Sequence, residues 1–486
     1  MQVKNTVMPL QHNLSAFQAY VCLKERAKAQ DLFLLESLSG PDRALRKAIL
    51  GIHPVLGLRV KNGQIELTGA SQLVRWAGEV IQAVQARPVF EILRTLEKAF
   101  QVNYIGDFNF DYRFGFLGYI GYDAIQYIER IKQKIPDQTP LPDMVLMVYQ
   151  AAVYVDFDTQ TSYWIENEFS AMPTSARLSE YKSLLDQAPL PSDPYILQEA
   201  VTAPRHIEDS LTREEYCSAV NRALKHIALG DIYQIQLGHT LTIDSDVDPF
   251  VVYQRLRQQN PSPYMYYVEM GDIEIIGASP ELCVNLRDHQ VTIRPLAGTI
   301  RRGQTPAEEA ALQETLRNDP KEKAEHLMLV DLARNDVSRV CKVNTLNVTE
   351  LMVIEAYSHV FHLVSNVVGD LRADRDHYDV IAASFPAGTL TGSPKIRAIE
   401  LIEEIETSRR GIYGGCLGYI DFRGNTEMAI CIRTALHQEG RYFIRASAGV
   451  VVDSSPEKEW QETYAKLSSN YYAITGRELK DEDFAR

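Results

Sequence analysis

The amino-acid sequence lacks the features that would place it in several large classes of protein. None of its apolar runs approaches the roughly 20 residues that a membrane-spanning helix needs. Its N-terminus has neither the basic segment nor the apolar core of a signal peptide. Its six cysteines include no CxxC pair that would predict a zinc site or a disulfide framework. Basic residues are outnumbered, 50 against 64 acidic ones, and the net charge of −14 argues against nucleic acid or an anionic membrane as a partner. We therefore expect a reduced, soluble protein of the cytoplasm.

The sequence contains many short apolar segments interspersed with amphipathic helices. Stretches such as "FGFLGYIGY" (114–122) and "MVLMVYQAAVYVDF" (144–157) predict strands. The proline-rich stretch "QAPLPSDPY" (187–195) predicts a linker, which separates an N-terminal region (1–200) from a second domain (205–480), with the two interlocked. Strands and helices mix without a βαβ rhythm, which favours an α+β fold with antiparallel sheets. The helices predicted in the second domain are 213–229, 307–332, 376–385, Lys395–Ile405 and Pro456–Thr475.

A pair of glutamates follows a predicted helix start in "NDPKEKAEH". Asp319 is the N-cap candidate and Pro320 takes the first helical position. Glu322 and Glu325, three residues apart, then share one face of the first turns, near the positive end of the helix dipole. The sequence therefore predicts an acidic helix face here.

A second acidic pair occurs near the C-terminus, in "SSPEKEWQETYAK". Ser455 and Pro456 repeat the helix start, and Glu459, Glu462 and Lys466 then form one stripe. Two such faces could bind Mg²⁺ through carboxylate oxygens. A solvated acidic surface is the commoner origin of this spacing, and the spacing alone leaves both interpretations open.

Longer motifs occur in order along the second domain: "RPLAGTIRRG", "DPKEKAEHLMLVDLARNDVSRV", "YSHVFHLVS", "FPAGTLTGSPKIRAIELIEEIE", "RRGIYGGCLGYIDFRGN", "IRT" and "AGVVVDSSPEKEWQET". Together they resemble the chorismate-utilising enzymes, most closely the large subunit (component I) of anthranilate synthases. The resemblance is dense over 208–474 and thinner in the N-terminal region, in "LLES" (34–37) and "FGFLGYIGYD" (114–123). It implies a two-layer sandwich of antiparallel sheets with flanking helices and a central cleft, chorismate as substrate, and a Mg²⁺ ion.

The resemblance also implies roles for individual residues. Glu281 in "ASPE" matches the general acid that protonates the departing 4-hydroxyl of chorismate, a role that a carboxyl group with a raised pKa suits. His362 matches a histidine linked to pyruvate elimination, and Thr389 and Lys466 match further positions of the catalytic site. The matched substrate-binding positions are Gly298, Thr299, Tyr413, Arg433 and Gly449, of which Tyr413 and Arg433 would hold the enolpyruvyl carboxylate. The matched metal ligands are Glu322, Glu325, Glu459 and Glu462.

Two positions distinguish which nucleophile attacks the ring. Isochorismate and salicylate synthases of the family activate water with a lysine, and this chain has Gln234 at that position, a residue that cannot act as a general base. Aminodeoxychorismate synthases that use a covalent lysine carry it in "PIKGT", where this chain has Ala297 in "PLAGT". Both differences favour direct addition of ammonia at C2. Because no amidotransferase domain is recognisable in the sequence, a separate glutamine amidotransferase subunit would supply the ammonia.

The predicted products are anthranilate and pyruvate, because His362 is present. Amination without aromatisation, as in an aminodeoxyisochorismate or aminodeoxychorismate synthase, is the alternative, and a water-using isochorismate or salicylate synthase is the second. A catalytically inactive regulatory homologue is disfavoured, because the four glutamates, Arg433 and Lys466 are all retained. Ser447, where the family commonly has glycine, is one of several departures that bear on the product.

The resemblance extends to a site for L-tryptophan as a feedback inhibitor. "LLES" and "NPSPYMYY" (260–267) match the inhibition pocket of anthranilate synthases, although the "GRYS" that usually follows "LLES" is missing. A buried pair of structural strands is the alternative explanation. The predicted tryptophan-binding residues are Ser37, Pro263, Tyr264 and Met265.

Overall fold

The structure, a computed structural model, describes residues 1–40, 47–137, 139, 141–187 and 203–480, so most of the predicted linker lies outside the described residues. The strands are β1 (Gln2–Pro9), β2 (Phe33–Glu36), β3 (Lys47–Lys61), β4 (Gln64–Gly69), β5 (Gln101–Tyr104), β6 (Gly115–Ile120), β7 (Met144–Asp156), β8 (Thr161–Phe169), β9 (His206–Asp209), β10 (Gln234–Asp244), β11 (Tyr264–Met270), β12 (Ile273–Ser279), β13 (Leu282–Arg287), β14 (Gln290–Ile293), β15 (Leu296–Arg301), β16 (Asn347–Ala356), β17 (Val360–Asp370), β18 (Gly392–Ser393), β19 (Cys416–Asp421), β20 (Thr426–Ile430), β21 (Thr434–Gln438) and β22 (Arg441–Val450). The helices are α1 (Ala16–Ala27), α2 (Ser71–Gln82), α3 (Val89–Ala99), α4 (Ala176–Leu185), α5 (Arg213–Ala228), α6 (Pro249–Gln259), α7 (Pro306–Asn318), α8 (Pro320–Ser338), α9 (His377–Ser384), α10 (Lys395–Ile405) and α11 (Pro456–Thr475).

Two sheets share the long strands β3 and β7. The first sheet runs β9-β10-β22-β21-β12-β11-β2-β3-β7-β8-β1-β5, and the second runs β4-β3-β7-β6-β19-β20-β13-β14-β17, with β15 and β16 both pairing with β17. Apart from the parallel pair of β1 and β5, the pairings among the described strands are antiparallel. The register of β3 against β7 shifts between Pro54 and Leu56, where these strands pass from one sheet to the other. The predicted α+β fold with antiparallel sheets and flanking helices is confirmed.

The core between the two sheets is aromatic and aliphatic. Tyr266 and Ile275 of the first sheet pack with Leu117 and Tyr419 of the second in one buried cluster. Further clusters cover the outer faces, where α1, α4, α6 and α11 pack on the first sheet and α3, α8 and α9 on the second. Both outer faces are therefore covered by helices, which agrees with the nearly continuous burial along central strands such as β6 and β7.

The N-terminal region and the second domain are joined by strand pairing. β2 pairs with β11, and β6 pairs with β19. Each of these pairs joins a strand from the first 200 residues to one from the second domain, so the sheets are continuous across the predicted boundary. Among the described residues, no helix has the length and hydrophobicity that a bilayer crossing needs.

The helices carrying the acidic pairs begin where the sequence predicts. The Asp319 side chain accepts hydrogen bonds from the backbone N–H groups of Lys321 (2.9 Å) and Glu322 (3.1 Å), a cap that contributes about 1 kcal/mol to helix stability. The single helix predicted at 307–332 is wrong. It is divided into α7 and α8 at Asp319, because a residue before proline is disfavoured in helical conformation and Asp319 adopts an extended one. Helix α11 begins at Pro456 as predicted, although the Ser455 side chain makes no capping bond.

Candidate active site

A cavity of about 540 Å³ lies where the edge of the first sheet approaches the far end of the second, between α8 and α11. It brings together every residue that the sequence assigned to catalysis, substrate binding, metal binding or choice of nucleophile. They are Gln234, Glu281, Ala297, Gly298, Thr299, Glu322, Glu325, His362, Thr389, Tyr413, Arg433, Gly449, Glu459, Glu462 and Lys466. These residues therefore line one cavity, and their individual roles stay predictions.

Strands β10 and β22 form the floor of this cavity. Their register pairs Gln236 with Gly449 and Gly238 with Ser447. Because alternate residues of a strand face one side, Gln234 and Gln236 point the same way. A side chain at Gly449 would lie 2.8 Å from Gln234 Nε2 and 3.0 Å from Gln236 Nε2. Glycine is therefore required at 449 for the two amides to lie over the backbone.

Helices α8 and α11 bring the four glutamates to the same wall. Burial raises the pKa of Glu325, and the neighbouring Glu322 raises it further. Burial likewise raises the pKa values of Glu322 and Glu459, and in both cases Glu462 adds to the effect. Negative charge is thus concentrated in a partly buried space, where a bound cation would be stabilised.

The present contacts of these carboxylates show how they could bind a metal ion. Among the described residues, no group of three or more His, Cys, Asp or Glu side chains is close enough to hold an ion without movement. Glu462 Oε1 contacts Lys466 Nζ at 2.6 Å, and Glu325 Oε1 accepts from Gln234 Nε2 at 3.1 Å. The oxygen donors are of the type that Mg²⁺ prefers. A Mg²⁺ ion fits their chemistry, provided that these side chains turn from their present partners towards the ion.

Glu281 follows β12 and is almost fully buried, with 6% of its surface exposed. Burial raises the pKa of its carboxyl group to about 8, even though Thr389 Oγ1 donates to Glu281 Oε1 at 2.9 Å and Lys466 lies near enough to oppose the rise. Glu281 is therefore protonated at neutral pH and can donate a proton. The carboxyl group also accepts a hydrogen bond from the Leu296 backbone, which together with Thr389 fixes its position.

His362 lies opposite Thr299 in the pairing of β15 with β17. Its Nδ1 is 3.1 Å from the Gly298 carbonyl oxygen and 3.0 Å from Thr299 Oγ1. A carbonyl can only accept, so Nδ1 carries the hydrogen and Nε2 keeps its lone pair. Burial lowers the pKa of His362 to about 4, so the ring is neutral at physiological pH. Gly298 adopts a φ of +62°, in a bulge that favours glycine.

Arg433, Tyr413 and Lys466 also line the cavity. Arg433 donates from Nη1 to the Lys466 carbonyl oxygen, which fixes the guanidinium against α11. The Tyr413 hydroxyl is 2.7 Å from Ser447 Oγ, and Lys466 Nζ donates to the Ser447 carbonyl at 2.9 Å. A cationic fork and a phenol next to each other suit a carboxylate ligand.

A second cavity of about 270 Å³ adjoins the first behind His362 and Arg433. It shares Pro280, Val360 and Ala465 with the main cavity as well, and it extends to Gln259 and Ser469 on α6 and α11. The site thus has open space on the side where the enolpyruvyl group of the substrate is predicted to lie.

The predicted tryptophan-binding residues lie elsewhere. Ser37, Tyr264 and Met265 line a cavity of only about 30 Å³, and Pro263 lines a different one with Tyr264. Lys47 fills part of this region, with Nζ 2.6 Å from Asp111 Oδ2. A cavity of that volume holds about two water molecules, so a tryptophan side chain would have to displace the present side chains. Tryptophan binding stays a prediction.

One known protein family matches most of this sequence. The sequence model of the chorismate binding enzyme family matches residues 71–471. This chain belongs to the chorismate-binding enzymes. The match extends on both sides of the proline-rich stretch, so the family unit includes part of the N-terminal region as well as the second domain.

Relatives of this chorismate-binding enzyme carry two kinds of name. It is 44% identical to the 2-amino-4-deoxychorismate synthase of Streptomyces globisporus over 96% of this chain and 95% of the relative. It is 38% identical to the anthranilate synthase component 1 of Acinetobacter calcoaceticus over 91% of this chain and 89% of the relative. The crystal structure of anthranilate synthase component I from Streptococcus pneumoniae TIGR4 superposes with a TM-score of 0.75, at 31% identity, over 95% of this chain and 99% of that one.

Several residues of the site in this chorismate-binding enzyme were not selected from the sequence. Gln236 and Arg445 line the cavity, and behind them Glu406 accepts from Arg410 Nη2 at 2.9 Å and from Arg445 Nη2 at 2.7 Å. Arg410 Nη2 also donates to the Gln236 carbonyl at 2.8 Å, which ties this buried cluster to the floor. The two-residue period from Gln234 could have identified Gln236, whereas the contacts of Arg410 and Arg445 depend on long-range pairing.

Proposed function

We propose that this enzyme adds ammonia to C2 of chorismate with loss of the 4-hydroxyl group, giving 2-amino-4-deoxychorismate and water. The observation that carries this proposal is the 44% identity, over nearly the full length of both chains, to a protein named for that product. Anthranilate synthases from several other bacteria are 36–40% identical to this chain. The comparison therefore supports the non-aromatised product better than the anthranilate that the sequence predicts.

The residues of the cavity can perform the substitution. As ammonia attacks C2, both double bonds of the ring shift, from C1=C2 to C6=C1 and from C5=C6 to C4=C5, and the bond from C4 to its hydroxyl oxygen breaks. Glu281 supplies the proton that converts the departing hydroxyl to water, because its raised pKa keeps it protonated. The incoming ammonia then loses one proton, which restores the balance of charge. Thr389 holds the Glu281 carboxyl group in place during the transfer.

Two groups of residues orient the substrate in this proposal. Arg433 holds the enolpyruvyl carboxylate, which an arginine fork suits geometrically, and Tyr413 lines the cavity with it. Glu322, Glu325, Glu459 and Glu462 would hold Mg²⁺, which when bound withdraws negative charge from the ring carboxylate. Burial, with a smaller contribution from their mutual repulsion, raises the pKa values of three of these glutamates, and binding of the metal would compensate that repulsion.

Ammonia is the nucleophile that these residues favour. Gln234 has no basic group with which to activate water, and its Nε2 is directed to Glu325. Ala297 has no group that could form a covalent bond with the ring. We propose that a separate glutamine amidotransferase subunit produces the ammonia in the cell.

Anthranilate formation is the second candidate, and His362 favours it. The neutral ring lies in the cavity with Nε2 unprotonated, so it could remove the C2 proton as pyruvate leaves. In that case the enzyme would contribute to tryptophan biosynthesis. The two candidates share the amination step and differ only in whether the bond from C3 to the enolpyruvyl oxygen breaks.

One experiment separates these activities. The purified chain is incubated with chorismate, Mg²⁺ and an ammonium salt at alkaline pH, and the products are resolved by chromatography with mass detection. A stable aminated, non-aromatic product supports the proposal, and fluorescent anthranilate supports the second candidate. Isochorismate or salicylate would indicate water as the nucleophile, and unreacted chorismate would indicate a regulatory homologue. Either of the last two outcomes rejects both candidates.

A further inference from the structure

The Ser447 hydroxyl lies between two side chains of the active site. Its oxygen is 2.7 Å from the Tyr413 hydroxyl, and it donates to Gln236 Oε1 at 3.0 Å. Ser447 is 1% exposed, and it lies opposite Gly238 in the pairing of β10 with β22. A side-chain carbon at Gly238 would lie 2.9 Å from the Ser447 Cβ. The serine therefore fits because its cross-strand neighbour is glycine, and its two hydrogen bonds hold the hydroxyl in place.

The chemistry of Tyr413, Ser447 and Gln236 determines which atom carries the proton in each of these two hydrogen bonds. An amide oxygen can only accept, so the single hydroxyl proton of Ser447 goes to Gln236. The Tyr413 hydroxyl must then donate its own proton to Ser447. The Tyr413 oxygen, which lines the cavity, then has only lone pairs left for a ligand, and a lone pair repels a carboxylate where a donated proton would attract it.

If Tyr413 donated its proton to a ligand instead, both hydrogen bonds of Ser447 would have to change. Ser447 would have to donate to Tyr413, and Gln236 Oε1 would lose its donor. Gln236 is only 9% exposed. A buried acceptor left without a donor is unfavourable. The arrangement thus opposes hydrogen bonding of Tyr413 to the substrate, whereas Arg433 is unaffected by it.

We propose that Ser447 is a positioning residue that withholds the Tyr413 proton from the enolpyruvyl carboxylate and thereby favours retention of the enolpyruvyl group in the product. When the bond from C3 to the enolpyruvyl oxygen breaks, both electrons stay with the departing enolpyruvate. Donors around that group stabilise the negative charge that develops on it. A site with one donor fewer releases it more slowly, so the aminated intermediate leaves before it aromatises. This last step rests on the proposed function, whereas the effect on binding does not.

The binding test uses the full-length protein with Mg²⁺ and chorismate, without ammonia, in equilibrium dialysis. In Ser447→Ala the Tyr413 proton is released to the ligand, so we expect chorismate to bind about tenfold more tightly, the effect of one hydrogen bond to a charged group. Tyr413→Phe alone should change the dissociation constant less than about twofold, because the proton of wild-type Tyr413 is already engaged. In the Ser447→Ala background, the same Tyr413→Phe change should weaken binding about tenfold.

A buried serine far from the cavity provides the matched control. Ser162 is 1% exposed, and its hydroxyl donates to the Leu14 carbonyl at 2.7 Å. Ser162→Ala should lower thermal stability without changing the affinity for chorismate. If Ser447→Ala leaves the affinity unchanged, or if Tyr413→Phe has the same effect in both backgrounds, the proposal is overturned.

The product test follows with ammonium present. Ser447→Ala should increase the ratio of anthranilate to the non-aromatic aminated product several-fold relative to wild type. An unchanged ratio would overturn the link between Ser447 and retention of the enolpyruvyl group. If the wild type binds chorismate but forms no aminated product, the proposed function fails while the binding test still decides the role of Ser447.

Discussion

Replacing Glu281 by glutamine tests the raised pKa on which the proposed acid catalysis depends. In the folded protein burial raises the pKa of this carboxyl group to about 8. An exposed glutamate of the unfolded chain has a pKa of about 4.3. Between these values the folded state binds one more proton than the unfolded state. The stabilising contribution is therefore fully present below the unfolded-state pKa, and it is lost as the pH rises towards 8, at about 1.4 kcal/mol per pH unit.

The magnitude can be followed by thermal unfolding. From about pH 5 to about pH 7.5 the wild type should lose about 3 kcal/mol through this group, and Glu281→Gln should not, because an amide does not titrate. For a chain of this length, 1 kcal/mol corresponds to about 1 °C in Tm. The Tm of the variant minus that of the wild type should therefore increase by about 3 °C over this interval, measured by differential scanning fluorimetry.

An exposed glutamate on another helix provides the control for this measurement. Glu79 on α2 is exposed, so Glu79→Gln should give a Tm difference that does not vary with pH over the same interval. If the difference for Glu281→Gln is equally constant, Glu281 ionises as it does in the unfolded chain, and the reasoning for its role as the acid is refuted. Independently, Glu281→Gln should lower kcat about 10²- to 10⁴-fold, since a general acid contributes that much.

The remaining predictions concern the metal site, the nucleophile and the carboxylate fork. Glu462→Gln should reduce turnover at least about 100-fold with little change in Tm and a raised Mg²⁺ requirement; activity equal to wild type across a Mg²⁺ titration would reject the metal assignment. Gln234→Lys should suppress amination and produce hydroxylated product from chorismate, because an amine near Glu325 can activate water; product analysis without ammonium checks this, and the absence of any hydroxylated product counts against it. Arg433→Lys should raise KM for chorismate about tenfold or more, since a lysine lacks the two parallel donors; a KM within twofold of wild type would show that Arg433 does not bind the substrate.

The sequence predicted the features of this protein that depend on local chemistry. Asp319 and Pro320 specify a helix start, and the glutamates of α8 and α11 follow on defined faces whatever the rest of the chain does. Residues matched to the long family motifs line one cavity. The break between α7 and α8 could also have been recognised, since Pro320 disfavours helix at the residue before it.

Other features depend on contacts between distant segments, and no local pattern could have predicted them. The hydroxyl of Ser447 meets Tyr413 and Gln236 only because of the register of β10 against β22 and the position of the turn before β19. The cluster of Glu406, Arg410 and Arg445 is likewise assembled from a loop, a helix end and a strand. The small volume around Ser37 and Met265 depends on how Lys47 packs. Such arrangements follow from the tertiary fold, and local propensity gives no information about them.

The strand pairs that connect the two halves of the chain have a consequence for biosynthesis. β6 pairs with β19, about 300 positions further along the chain, and at 5–20 residues per second the ribosome needs roughly 15–60 s to make that distance. Throughout that time the apolar edges of β2 and β6 have no strand to pair with and are exposed to other nascent chains. We therefore expect the fold to close only after β19 has been synthesised, and the yield of native protein to depend more on chaperones and growth temperature than the stability of the finished molecule would suggest.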